Sequence, residues 1–101
     1  MLSASEGPSI IDLQRARASL RLDERLALLP PRAQIRGVLF RMTADEVARH
    51  GIRAVAAHRR LSPVKSSWFF RMYSVRDYLE DLAAAATVLA PHEPATAVRA
   101  I

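Results

Sequence analysis

Hydrophobic positions along this chain recur at helical spacing, and each recurrence is introduced by the same punctuation. Ser9-x-x-Asp12, Thr43-x-x-Glu46 and Ser74-x-x-Asp77 each place a hydroxyl at an N-cap and a carboxylate three residues later. There both groups satisfy first-turn amides and favour the positive helix end. The first helix is expected from about Ile10 to Leu29, broken near Leu22-Asp23, with Leu22, Leu26 and Leu29 on one stripe. Pro30-Pro31 closes it, because the residue before a proline is pushed out of the helical region.

A second helix is expected to start at Pro31 or Arg32 and to present Ile35, Val38, Leu39 and Met42 to the core. Thr43 then restarts a helix through Val47 to His50, Gly51 suits a C-terminal cap, and Ile52 to Arg60 forms a further short helix carrying Val55 and Ala56. Ser62 to Ser67 reads as a loop. Trp68 to Tyr73 is the strongly aromatic segment, with an extended or 3₁₀ backbone expected there. From Val75 the spacing of Tyr78, Leu79, Leu82, Ala86 and Leu89 defines the clearest amphipathic helix. Its four alanines, Ala83 to Ala86, join high helix propensity to side chains small enough for close helix approach, which predicts a central position. A last short helix is expected over Ala95 to Ile101. The fold class that follows is all-α, a small bundle of about five helices, with residues 1–9 a flexible N-terminus and residues 10–101 a single helical domain.

Composition agrees with one folded domain: half of the 101 residues are hydrophobic and a quarter charged. Cysteine is absent, so no disulfide or thiolate metal site can form. Met1 to Ser9 lacks the apolar run of a signal peptide, and Leu82 to Ala90 falls far short of the roughly 20 residues that cross a bilayer. A cytoplasmic protein with no membrane partner is the expectation. The net charge of +5 is concentrated in residues 32–65, where Arg32, Arg36, Arg41, Arg49, Arg53, Arg59, Arg60 and Lys65 face only Asp45 and Glu46. That block reads either as a solvated face or as a surface for an acidic partner, nucleic acid or an anionic membrane surface.

Several segments taken together carry a resemblance. Leu26 to Pro31, Arg36-Gly37-Val38-Leu39-Phe40, Tyr73-Ser74-Val75-Arg76-Asp77-Tyr78-Leu79, Ala85-Ala86, Leu89-Ala90-Pro91 and Ala97-Val98-Arg99 resemble an uncharacterised bacterial paralogous family expanded in myxobacteria. Ser74 stands where that family has proline, and it can still cap a helix. Family members are about twice as long and similar in shape to the haem-nitric-oxide-binding and vinyl-reductase-like small-molecule-binding domains, which act in sensing and regulation. The resemblance implies that this chain is an N-terminal half. In the haem-binding relatives the other half supplies the iron ligand, so the resemblance assigns haem to no histidine of this chain, and no cofactor is expected.

Elementary site chemistry points the same way. His50 and His58 are eight residues apart across a glycine, which is neither the i, i+4 helix pair nor a finger spacing; these two and His92 read as surface or helix-end histidines. Asp23-Glu24, Asp45-Glu46 and Glu80-Asp81 are adjacent pairs whose side chains diverge on a helix, and they read as solubilising charges. No glycine-rich phosphate loop or nucleophile elbow occurs. Gly37 within a helix reads as a close helix–helix contact, with the alanine face of the 75–89 helix as the candidate neighbour.

The expected function is therefore a non-enzymatic regulatory or adaptor protein acting through a protein partner or self-association. Trp68, Phe69 and Phe70 are the candidate aromatic anchors, with Arg59 and Arg60 as a polar rim. Core packing is the competing reading for the three rings. Thr43 to Arg60 also has the outline of a helix-turn-helix, with Arg53, Arg59 and Arg60 for phosphates and Arg53 and His58 for bases, which makes DNA binding an alternative. Half of a small-molecule sensor domain is the other alternative.

Overall fold

Ser9 opens the first helix with a reciprocal cap. Its hydroxyl accepts the Asp12 backbone N–H at 3.3 Å, and Asp12 Oδ2 accepts the Ser9 backbone N–H at 2.8 Å. That bond from the Ser9 backbone holds the Asp12 carboxyl below its ordinary pKa. Helix α1 (Ile10–Ser19) stops where Arg21 turns left-handed at φ 53°, and α2 (Leu22–Ala27) leaves at a new angle. Leu22 and Leu26 are buried against Ala83, with Leu29 packed beside them, which is the stripe read from the sequence. The computed structural model describes residues 8–64, 68, 70–90 and 92–100, with the side chains of residues 99 and 100 left aside.

Residues 31–43 depart from expectation. In place of a helix from Pro31, strand β1 (Gln34–Arg36) pairs antiparallel with β2 (Met72–Ser74), in the register Gln34↔Ser74, Ile35↔Tyr73 and Arg36↔Met72. Pro31 at a helix start loses no hydrogen bond and so does not forbid the expected helix; the ribbon forms because its partner strand satisfies the backbone on both flanks. Val75 N–H donates to Ala33 O at 3.0 Å and Gly37 N–H to Arg71 O at 2.8 Å. The architecture is thus the small, mostly helical bundle that was expected, with a two-stranded sheet added to it that an all-α class leaves out.

Helix α3 (Val38–Ala48) begins after Gly37 and runs straight through Thr43. The Thr43 hydroxyl donates to Leu39 O within the same helix at 3.2 Å, so it caps nothing and no helix restarts there. This start fixes a different inward face: Phe40, Thr43 and Val47 are buried, Val38 and Leu39 are half-buried, and Met42 is 52% exposed. Gly51, at φ 101°, makes the turn into α4 (Ile52–Leu61), whose buried side is Ala57, His58 and Leu61, with Val55 half-buried.

Helix α5 (Val75–Leu89) is capped by Ser74, whose hydroxyl accepts the Asp77 N–H at 3.0 Å. It touches α1 to α4, both strands and α6 (Pro94–Ala100), and its Ala83, Ala84, Ala85 and Ala86 are at most 2% exposed. The expected central position holds. Around it Phe40 meets Tyr73 and Tyr78 edge to face, with ring centroids 5.1 and 5.6 Å away, and this aromatic contact joins α3, β2 and α5.

Gly37 is a close contact, but not with the alanine face. A Cβ at this position would stand 1.8 Å from the Trp68 carbonyl oxygen and 3.0 Å from the Tyr73 ring. We expect Gly37→Ala to lower stability by about 1–3 kcal/mol in urea unfolding, the range of an overpacked site, and to change the emission of Trp68. Gly51→Ala meets open space and should cost about 1–2 kcal/mol through its positive φ alone, leaving Trp68 emission unchanged. Gly37→Ala at wild-type stability and emission would contradict this packing.

Candidate functional site

Two places bring together side chains with chemistry to offer, and they differ in what reaches them. The first is buried. His58 on α4, Asp81 on α5 and Ser62 just beyond α4 are 8%, 3% and 2% exposed. His58 Nε2 lies 3.0 Å from Asp81 Oδ1, and the Ser62 hydroxyl donates to the same oxygen at 2.5 Å. Ser62 Oγ also accepts the Val64 N–H at 3.1 Å, which fixes the chain as it leaves α4.

The set contains a serine, a histidine and an aspartate, but in the wrong order for nucleophilic catalysis. A catalytic relay has the histidine between serine and carboxylate, taking the serine proton. Here the carboxylate sits between the other two, and the serine donates to it directly. What this arrangement does is tie α4 to α5 through one buried acceptor. His58 and Asp81 therefore correct two expectations: His58 is not a surface histidine, and Asp81 is not a solubilising charge. Their partnership is invisible in sequence because they are 23 residues apart and each looks like an ordinary helix polar group.

His50 is exposed and lies 3.9 Å from Glu46, and His92 is exposed after α5. Among the described residues no three His, Asp or Glu side chains converge as metal ligands. The helix-turn-helix outline exists as geometry, with α3 and α4 joined across residues 49–51, and Arg53 and Arg59 exposed on α4. His58 is withdrawn from it, since a ring buried on Asp81 cannot meet a base edge.

The second place is the surface over the β1–β2 ribbon. Trp68 is 72% exposed, Phe70 76% and Met72 44%. Phe69 lies outside the described residues. The backbone beneath these rings is fixed: Trp68 N–H donates to the Tyr73 hydroxyl at 2.7 Å, and the Trp68 carbonyl accepts the Arg71 N–H at 3.2 Å while resting on Gly37. Arg71 lies over the Tyr73 ring, 5.7 Å from its centroid. Cross-strand pairing sets Arg36 beside Met72 on one face of the ribbon, and both are exposed. Core packing, the competing reading for the aromatics, does not describe Trp68 or Phe70. It does describe Phe40, and Tyr73 and Tyr78 are half-buried against it.

The two arginines expected as a polar rim both lie on α4. Arg60 reaches back to the Pro8 carbonyl at 2.5 Å, which commits it to the lead-in of α1. Arg59 is exposed on α4. Arg71 lies within the aromatic segment itself, and Arg36 is brought beside it by strand pairing that the sequence reading missed. Gln34-Ile35-Arg36 offers only a polar–apolar–polar triplet, which fits a helical turn as well as a strand.

The buried cluster yields a graded expectation. Asp81→Ala leaves His58 and Ser62 without their acceptor and should cost about 3–5 kcal/mol, the scale of breaking a buried polar pair. Ser62→Ala removes one donor and should cost about 1 kcal/mol. Urea titration followed by circular dichroism checks both, and equal effects would contradict a shared acceptor.

Compared with protein-family models, curated proteins and solved structures, this chain matches none, and the functional reading rests on the surfaces described above.

Proposed function

We propose that this chain is a non-enzymatic regulatory or adaptor domain that works through protein–protein interaction, and that its partner face is the 68–72 segment with the β1–β2 ribbon. One observation carries the reading. The two largest apolar side chains of the described loop, Trp68 and Phe70, are about three-quarters exposed, although a core containing Phe40 and the half-buried Tyr73 lies directly beside them.

Exposing rings of this size forgoes burial that would stabilise the fold by about 1.5–3 kcal/mol each. Grouped apolar exposure of this kind marks interaction surfaces, and tryptophan and arginine are the residues that dominate interface energetics. Holding the Trp68 backbone by three contacts lowers the ordering cost of binding, because the segment need not be immobilised afresh. Electrostatics narrow the partner. Residues 25–44 and 47–76, which build both strands and the aromatic segment, contain no aspartate or glutamate. An acidic protein surface or segment is the complement that such a face favours.

The test uses the full chain, tagged and recovered with nuclease from the cells that make it, beside Trp68→Ala and Phe70→Ala. We expect a stoichiometric protein, or a second copy seen by light scattering, to accompany the wild type. Each substitution should weaken that association at least tenfold while leaving the melting temperature within a few degrees, as loss of an interface anchor does. Association with nucleic acid alone, or variants that bind as well as wild type, would overturn the reading. Unfolding of both variants would return the rings to the core.

A further inference from the structure

On the far side of α5 from His58, helices α1, α2, α5 and α6 leave a half-open cavity of about 300 Å³. Leu20, Leu22, Leu79, Leu82 and Val98 form its apolar wall, and Arg25 supplies its charge. The charge is placed and uncompensated. Arg17 pairs with Asp23 and Glu80, and Arg21 with Glu24, so the acidic groups around α2 are already taken. Arg25 has no carboxylate partner among the described residues. Its Nε donates to the Leu20 carbonyl at 2.8 Å, which fixes the guanidinium at the cavity edge and leaves its two terminal nitrogens to bind something else.

We propose that this cavity is a binding site for a medium-chain monocarboxylate, with its chain against the leucines and its carboxylate on Arg25. The site is independent of the aromatic surface. Pockets of this kind are mostly apolar, with one or two polar groups that fix orientation. A guanidinium fork matches a carboxylate in plane through two parallel N–H···O bonds. A phosphate dianion would need a second cation, and no other basic residue lines the cavity among the described residues. At about 30 Å³ for each water-sized group, the volume holds roughly ten heavy atoms, which matches the carbon chain of decanoate with its carboxylate oxygens outside on Arg25.

The experiment titrates the full chain with sodium decanoate below its micelle concentration, by calorimetry and by methyl NMR. 1-Decanol and decyltrimethylammonium are titrated in parallel. We expect one saturable site, methyl shifts centred on Leu20, Leu22, Leu79, Leu82 and Val98, and decanol and the ammonium at least tenfold weaker. Arg25→Gln should bring decanoate down to the affinity of decanol without changing decanol itself. Ala95→Trp, a substitution at an exposed position on the cavity rim, should block both, with thermal melts confirming that each variant is folded. Equal affinity for decanoate and decanol, decanoate binding unchanged in Arg25→Gln, or unsaturable binding with shifts spread over the molecule would each overturn the proposal.

Discussion

Four consecutive alanines on α5 set the distances on which the rest of the structure depends. Ala83 to Ala86 face in every direction around the helix, so burying all four requires neighbours on every side. Leucine at those positions would bring more apolar area, but it would hold the surrounding helices farther from the axis. With methyl groups there, α1, α3, α4 and α6 all come against a single helix, and a chain of 101 residues closes a core. The close approach also explains how polar groups are tolerated inside it. Thr87, wholly buried, donates to Ala83 O at 2.8 Å, and Asp81 is satisfied by His58 and Ser62. No described buried side-chain nitrogen or oxygen lacks a partner.

The helices were legible where local chemistry decides. Ser9 and Ser74 cap as read, α2 ends before Pro30-Pro31, Gly51 turns between α3 and α4, and α5 forms where it was expected, although of its expected stripe only Ala86 is fully buried. Where long-range pairing decides, the sequence reading failed. Nothing local in Gln34-Ile35-Arg36 separates a three-residue strand from a helical turn; the strand exists because Met72-Tyr73-Ser74 lies alongside. Thr43 shows the same limit from the other side. A hydroxyl three residues before a glutamate fits a cap and also fits a helix interior, and the position of Gly37 fixed which one is realised.

The candidate sites divide along the same line. Aromatic character in Trp68 and Phe70 was visible from composition, and their exposure was open until the fold placed Phe40 in the interior instead, with Tyr73 and Tyr78 half-buried against it. Strand register sets Arg36 beside Met72, a neighbour that chain proximity does not show. Arg25 and the α5–α6 cavity could not be read at all: its lining is drawn from residues 20–25, 79–83 and 95–98, which only the folded chain assembles.

Trp68 and Phe70 lie outside the core, with the Trp68 backbone held in place, and the functional reading stands or falls with that placement. Trp68 is the single tryptophan of the chain, so its fluorescence reports on this point alone. We would compare its emission maximum and its quenching by acrylamide in the native and urea-unfolded protein. We predict a native maximum close to that of the unfolded chain and ready quenching in both states. A strongly blue-shifted native emission protected from acrylamide would place the ring in the core and contradict it.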